Sequence, residues 1–283
     1  MKMRKWGCIL MAFSLTGWPV HAAADSAATH LAQGEARYAA QDFDGAIREF
    51  RQAIKLDSRS AKEHFELALA LKARGDLDGS ILEYQQALRL EPRLAEAHAN
   101  IGSIYQMKGD LDRAISEYRD AIGIEPGLAL AHADLGSALR QKRNLPAAIS
   151  ELREAIRLEP GLAEAHRELG FALGLNRDMD GAIVELREAL RIDPSMVEAH
   201  LGLGGALQVK GKFDEAILEY REAIRLNPQS AQAHSNLASA LFMKGAKAEA
   251  EKELTEAQRL DPHLKPPNPQ QRPTQQKAGG PGE

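Results

Sequence analysis

The sequence predicts an all-α solenoid of seven helical hairpins. Three observations predict it. Histidine recurs on a strict 34-residue spacing, at His30, His64, His98, His132, His166, His200 and His234. A glycine or alanine follows each of these histidines by four positions, from Gly34 to Ala238. Proline recurs late in the period from Pro92 to Pro262, with Ser58 in its place in the first unit. A fixed period of this length marks a chain that lengthens by stacking like units. The units are 27–60, 61–94, 95–128, 129–162, 163–196, 197–230 and 231–264, and positions below are counted 1 to 34 within each.

The elements follow in chain order. Residues 1–24 begin with basic "MKMRK", continue with apolar "WGCILMAFSLTGWPV" and leave through small "HAAA". That order is expected of a secretory signal peptide cut after Ala22 or Ala24. The apolar stretch is broken by Gly17 and Pro19 and is short of the ~20 clean residues of a membrane span, so no stable span is expected after cleavage. A periplasmic or secreted location follows. Cys8, the one cysteine, precedes the apolar stretch, where a lipid-attached cysteine would follow it.

Each unit then opens with a helix whose positions 4, 7, 8 and 11 share one face. A break follows, seen as "GD" at Gly75-Asp76 and Gly109-Asp110. Glycine accepts the left-handed backbone that ends a helix. Positions 20, 21, 24, 27 and 28 form the face of a second helix, and position 27 is alanine in every unit. Small residues at 8, 20 and 27 let two backbones approach closely. Proline at 32 cannot continue the second helix and turns the chain toward the next unit. One hairpin leaves an apolar face open, so neighbours must cover it. In the seventh unit Glu251 and Gln258 stand where the others carry Ile or Leu, so that unit is expected to be the cap. The tail 265–283 is rich in Pro, Gln and Gly and is read as disordered.

Composition removes several function classes. A net charge of −4 lacks the basic footprint that nucleic acid requires. No paired nucleophile and base, cleft carboxylates or ligand cluster suggests catalysis, so no catalytic residue, no cofactor and no metal site is expected. "HLGLGGALQ" at His200–Gln208 has the look of a phosphate loop, yet it falls on first-helix positions. Histidines of adjacent units should stand ~8–10 Å apart. A zinc ion holds its nitrogens at ~2.0–2.1 Å, so ladder neighbours cannot share one. Each histidine reads as a half-buried packing residue, with a pH sensor as the alternative reading. Glutamate recurs at position 23, from Glu49 to Glu253, and reads as part of a solvated outer face.

"HANIGSIY…A…Y…P" in the third unit, with its six counterparts, resembles the tetratricopeptide repeat family at positions 7, 8, 11, 20, 24 and 32. The departure is position 4, histidine where the family prefers tryptophan. The resemblance implies a right-handed α-solenoid whose first helices line a concave surface for a protein or peptide partner. On that basis the expected contacts are Phe65, Leu69, Asn100, Ser103, Asp134, Arg167, Phe171, Leu201, Asn236 and Phe242. Some family members clamp a peptide's terminal carboxylate with Lys and Asn in three successive units. Around Asn100 the flanking places hold Phe65 and Leu69 before and Leu130 and Asp134 after, so that function does not carry over. The reading is therefore an exported binding scaffold. Its alternative is a structural assembly element, or a non-catalytic subunit of an envelope or polysaccharide/peptidoglycan enzyme complex.

Overall fold

The computed structural model describes residues 26–263; the expected signal peptide and the tail lie outside the described residues. Fourteen helices pair into seven hairpins: α1 Ala27–Ala39 with α2 Phe43–Leu56, α3 Ala61–Arg74 with α4 Leu77–Leu90, α5 Ala95–Met107 with α6 Leu111–Ile124, α7 Ala129–Gln141 with α8 Leu145–Leu158, α9 Ala163–Leu175 with α10 Met179–Ile192, α11 Val197–Val209 with α12 Phe213–Leu226, and α13 Ala231–Lys244 with α14 Lys247–Leu260. Among the described residues there is no strand, and no helix is long and apolar enough to cross a membrane.

The break inside each hairpin has one backbone geometry throughout. Position 15 is left-handed at Gly75, Gly109, Gly211 and Gly245, and equally at Gln41, Arg143 and Arg177. The hairpin imposes the conformation, and glycine merely adopts it at lower cost. The aspartate after it starts the second helix. Asp42 accepts from the Gly45 amide at 2.9 Å, Asp76 from Gly79 at 3.0 Å, Asp110 from Arg113 at 3.1 Å and Asp178 from Gly181 at 2.9 Å. "GD" is thus a stop for one helix and an N-cap for the next.

The small residue at position 8 is set by its partner at 24. A Cβ on Gly102 would sit 2.9 Å from the Tyr118 ring, and one on Gly136 would sit 2.5 Å from Leu152 Cγ. Both are closer than atoms pack without displacement. The rings and leucines at 24 are the bulk of the core: Phe50, Tyr84, Tyr118, Leu152, Leu186 and Tyr220 are all at most 2% exposed.

The residues form two compact units divided after Leu90. In the first, α1–α4 close around Ile47, Phe50, Leu67 and Leu71. In the second, α5–α14 pack each helix against its chain neighbours, and a shared core runs from Ile149 to Ala250. Within this second unit successive first helices also touch, α5 with α7, α7 with α9, α9 with α11 and α11 with α13. The second helices share no comparable contact, so the first helices line the inner side of this unit's curve. Its last helix, α14, buries only Ala250 and Ala257 and exposes Glu251 and Gln258. Its outer face is wet, as an end unit requires.

Candidate functional site: the first-helix groove and the histidine–glutamate pairs

The recurrent histidine is bonded to the recurrent glutamate. In every repeat the Nδ1 of the histidine at position 4 meets the Oε2 of the glutamate at position 23, at 2.6–2.8 Å. The reading of these glutamates as a solvated outer face is overturned. Position 23 lies at the seam where the antiparallel second helix returns past the first, so its carboxylate is carried inward to the imidazole. The glutamate side chains are 16–30% exposed. In four repeats Nε2 also reaches a carbonyl of the preceding turn: His132 to Pro126, His166 to Pro160, His200 to Pro194 and His234 to Pro228, at 3.1–3.4 Å.

Such a ring has an acceptor at each nitrogen. At His166 and His200 the carboxylate and the carbonyl both accept, an arrangement that favours a proton on each nitrogen, the imidazolium. The bond to Glu185, with help from the Pro160 carbonyl and over the opposing effect of burial, raises the pKa of His166. At His200 burial is the largest single influence and pulls downward, but Glu219, Pro194 and Glu222 together outweigh it and the pKa is raised. Each folded-state value lies above the ordinary 6.5. This stabilisation is therefore complete below about pH 6.5 and is lost as pH rises through the raised values. Thermal unfolding should shift to lower temperature between pH 6 and pH 9, and the H166Q/H200Q variant should show a flatter dependence. An equal slope in the variant would remove these pairs from the account.

The groove proper is on the inner side of the second unit. An open pocket of about 410 Å³ lies among α7, α9, α10 and α11. Phe171, Leu175, Met179, Leu186 and Val209 give it apolar walls, and Arg140 stands at its edge. Glycines make room for it. Gly174, Gly202 and Gly205 occupy places where other repeats carry side chains, and a Cβ on Gly202 would lie 2.3 Å from Phe171 Cε1. Leu175 and Val209 are exposed to 42% and 54%, which leaves the apolar wall open to solvent.

Phe171 is held by charge. The Arg140 and Arg167 guanidiniums stand 5.7 and 5.3 Å from its ring centroid. Both arginines grip Glu168, which is only 4% exposed: Arg140 Nε to Oε2 at 2.7 Å, and Arg167 Nη2 to Oε1 at 2.9 Å. Arg167 pairs with Glu164 as well. A carboxylate this buried is sustained by two cations. Farther along, Gln106 donates to Ser137 and Gln208 to Ser239, at 3.4 and 3.0 Å, which ties adjacent first helices together.

The expected contact residues fall into two sets. Phe65 and Leu69 belong to the first unit, both half-buried, with Phe65 edge-on to Tyr84 at 5.3 Å. The rest belong to the second. Of these the structure brings Arg167 and Phe171 together at the pocket. Leu201 packs half-buried against the core, and Phe242 is 44% exposed near the end of α13. Asn100 donates to the Glu96 carbonyl, and Asn236 accepts from Gln232. Ser103 and Asp134 are half-buried on α5 and α7. Sequence reasoning missed Arg140, Glu168 and Val209 as a group with Phe171. The available signal was the density of glycine in α9 and α11, which leaves a gap in an otherwise filled face. "HLGLGGALQ" is helical, within α11.

Three family models match the chain. One, described as TPR repeat, matches residues 69–109 and 209–245; two, described as tetratricopeptide repeat, match 133–197 and 95–127. No curated protein sequence matches. Among solved structures, the APC/C hetero-tetramer Cut9–Hcn1 is similar at 22% identity with a TM-score of 0.70, over 78% of this chain and 43% of that one. The chain thus spans less than half the length of that protein. MamA is similar at 27% identity and a TM-score of 0.52, over 61% of this chain and 94% of its own. YrrB, described as a TPR protein with an unusual peptide-binding site, is similar at 22% identity and a TM-score of 0.53, over 65% of this chain and 95% of its own.

Proposed function

The chain is a tetratricopeptide-repeat protein, and from that premise we propose that it is a binding scaffold that takes a protein or peptide segment along the first helices of its second unit. The observation that carries this is the Phe171 pocket, an open apolar space next to groove-lining amides and hydroxyls. An aromatic or large aliphatic side chain fits there, and the adjoining glycines let a backbone come close. Buried aromatic anchors often supply ~2 kcal/mol or more of an interface. Peptides selected by display against the full chain should carry a large apolar residue. F171A should weaken them by about thirtyfold, while V184S on the outer face of α10 leaves affinity unchanged. Circular dichroism should show both variants helical. Equal affinity for F171A and wild type would move the site off this face. Loss confined to V184S would place it on the outer helices.

We also propose that the protein works outside the cytoplasm, on the strength of the basic, apolar and small segments of residues 1–24. Intact-mass measurement of protein from the native envelope should give an N-terminus at Ala23 or Asp25. A chain that keeps Met1 in the cytosol would contradict export. No sequence feature suggests catalysis, and scaffolding needs none.

A further inference from the structure

One repeat departs from the others in the chemistry around its histidine. In repeats four to seven an acid at position 26 stands one turn beyond the paired glutamate, and an arginine at position 29 neutralises it. Glu154 pairs with Arg157, Glu188 with Arg191, Glu222 with Arg225 and Glu256 with Arg259, at 2.6–2.7 Å. Repeats one and two carry Gln52 and Gln86 at position 26 and so have no second acid. Repeat three keeps the acid, Asp120, and replaces the arginine with Gly123.

Packing does not require that glycine. A Cβ at Gly123 would meet nothing within 4 Å, its φ is not left-handed, and it lies inside α6. Glycine within a helix costs up to about 1 kcal/mol relative to alanine, and no packing contact offsets this. What the substitution does change is the third repeat's surface. Among the described residues no guanidinium pairs with Asp120, and His98, Glu117 and Asp120 present three ligand atoms within 4.8 Å of one another. The His98 side chain is 20% exposed, more than any other histidine of the ladder, and Asp120 is exposed. One histidine on α5 and two carboxylates three residues apart on α6 thus converge on the solvent side of one hairpin.

We propose that His98, Glu117 and Asp120 bind a single divalent transition-metal ion of the zinc class. One imidazole and two carboxylates make a nitrogen–oxygen donor set that suits such an ion, with water completing the shell. Ligands at ~2.0–2.2 Å from a metal need the three donor atoms to draw in from their present spread. The ion takes the place of the proton between His98 and Glu117, now 2.7 Å apart, and that proton is released to solvent. Asp120, exposed and without a guanidinium partner, is the side chain that can swing. Repeats four to seven have the same histidine–glutamate pair and do not qualify, because their second carboxylate is held by arginine. The spacing between ladder histidines is no obstacle, since a single histidine is used. This site is separate from the Phe171 groove and does not depend on it.

Calorimetric titration of ZnCl2 into the chelator-stripped full chain tests it. Wild type should bind one ion per chain. D120N, which removes a ligand, and G123R, which restores the arginine of the other repeats, should each weaken binding about tenfold or more. Both substitutions lie on an exposed surface, so helicity should be unchanged, and metal-free thermal stability should hold in D120N and rise slightly in G123R, which removes a glycine from inside α6. H166Q should bind as wild type does. Absence of zinc binding in wild type would overturn the proposal, as would undiminished binding in D120N and G123R, which would put the ion elsewhere on the chain.

Discussion

E168A is expected to destabilise the second unit by about 3 kcal/mol, the lower end of the cost of breaking a buried ion pair. Glu168 is the shared acceptor of Arg140 and Arg167, and its side chain is 6% exposed. Its removal leaves two guanidiniums beside the Phe171 ring without the carboxylate they share. Arg167 keeps Glu164 and Arg140 is 21% exposed, which is why the lower end applies. Arg140 comes from α7 and Glu168 from α9, so the loss falls on the stacking of the fourth repeat on the fifth. Repeat arrays can unfold in parts. Hydrogen exchange resolved along the chain is therefore the better measure, and protection should fall first in α7 and α9. A cost under about 1 kcal/mol would mean that water already solvates the triad.

L152A should cost about 2–5 kcal/mol, the range for emptying a buried leucine site. Leu152 is fully buried and lies against Gly136. G136A alone should cost about 1–3 kcal/mol by overpacking, since its Cβ would stand 2.5 Å from Leu152 Cγ and 3.2 Å from the Ala148 carbonyl oxygen. The two changes together should cost less than their sum, because the new methyl enters space the leucine has left. L218A, at a position 64% exposed, should stay within about 0.5 kcal/mol of wild type. Strict additivity in the G136A/L152A pair would contradict the close packing on which each hairpin depends.

The arrangement of the hairpins was legible because it follows from local geometry. Apolar spacing on a 3.6-residue turn, a left-handed break and a proline stop are each set by residues within a turn or two of one another. Placement of the fourteen helices on the expected faces follows from these, as does the wet outer face of α14, marked by Glu251 and Gln258. The candidate pocket was only half legible. Phe171 and Arg167 could be placed on the first helix, and the glycines at 174, 202 and 205 could be seen, but nothing local joined them.

The period, the two helices of each unit and the small residues at their crossing are written in the order of the residues. The side-chain pairings come only from the way the helices are brought together. His166 and Glu185 are 19 residues apart, and Arg140 and Glu168 are 28 apart. Each pair meets only because helices cross at a particular angle and depth. The recurrence of histidine and glutamate showed that both mattered, but not that they touch. That depends on where the antiparallel helix returns, and the return is set by how closely glycine and alanine at position 8 let the two backbones approach.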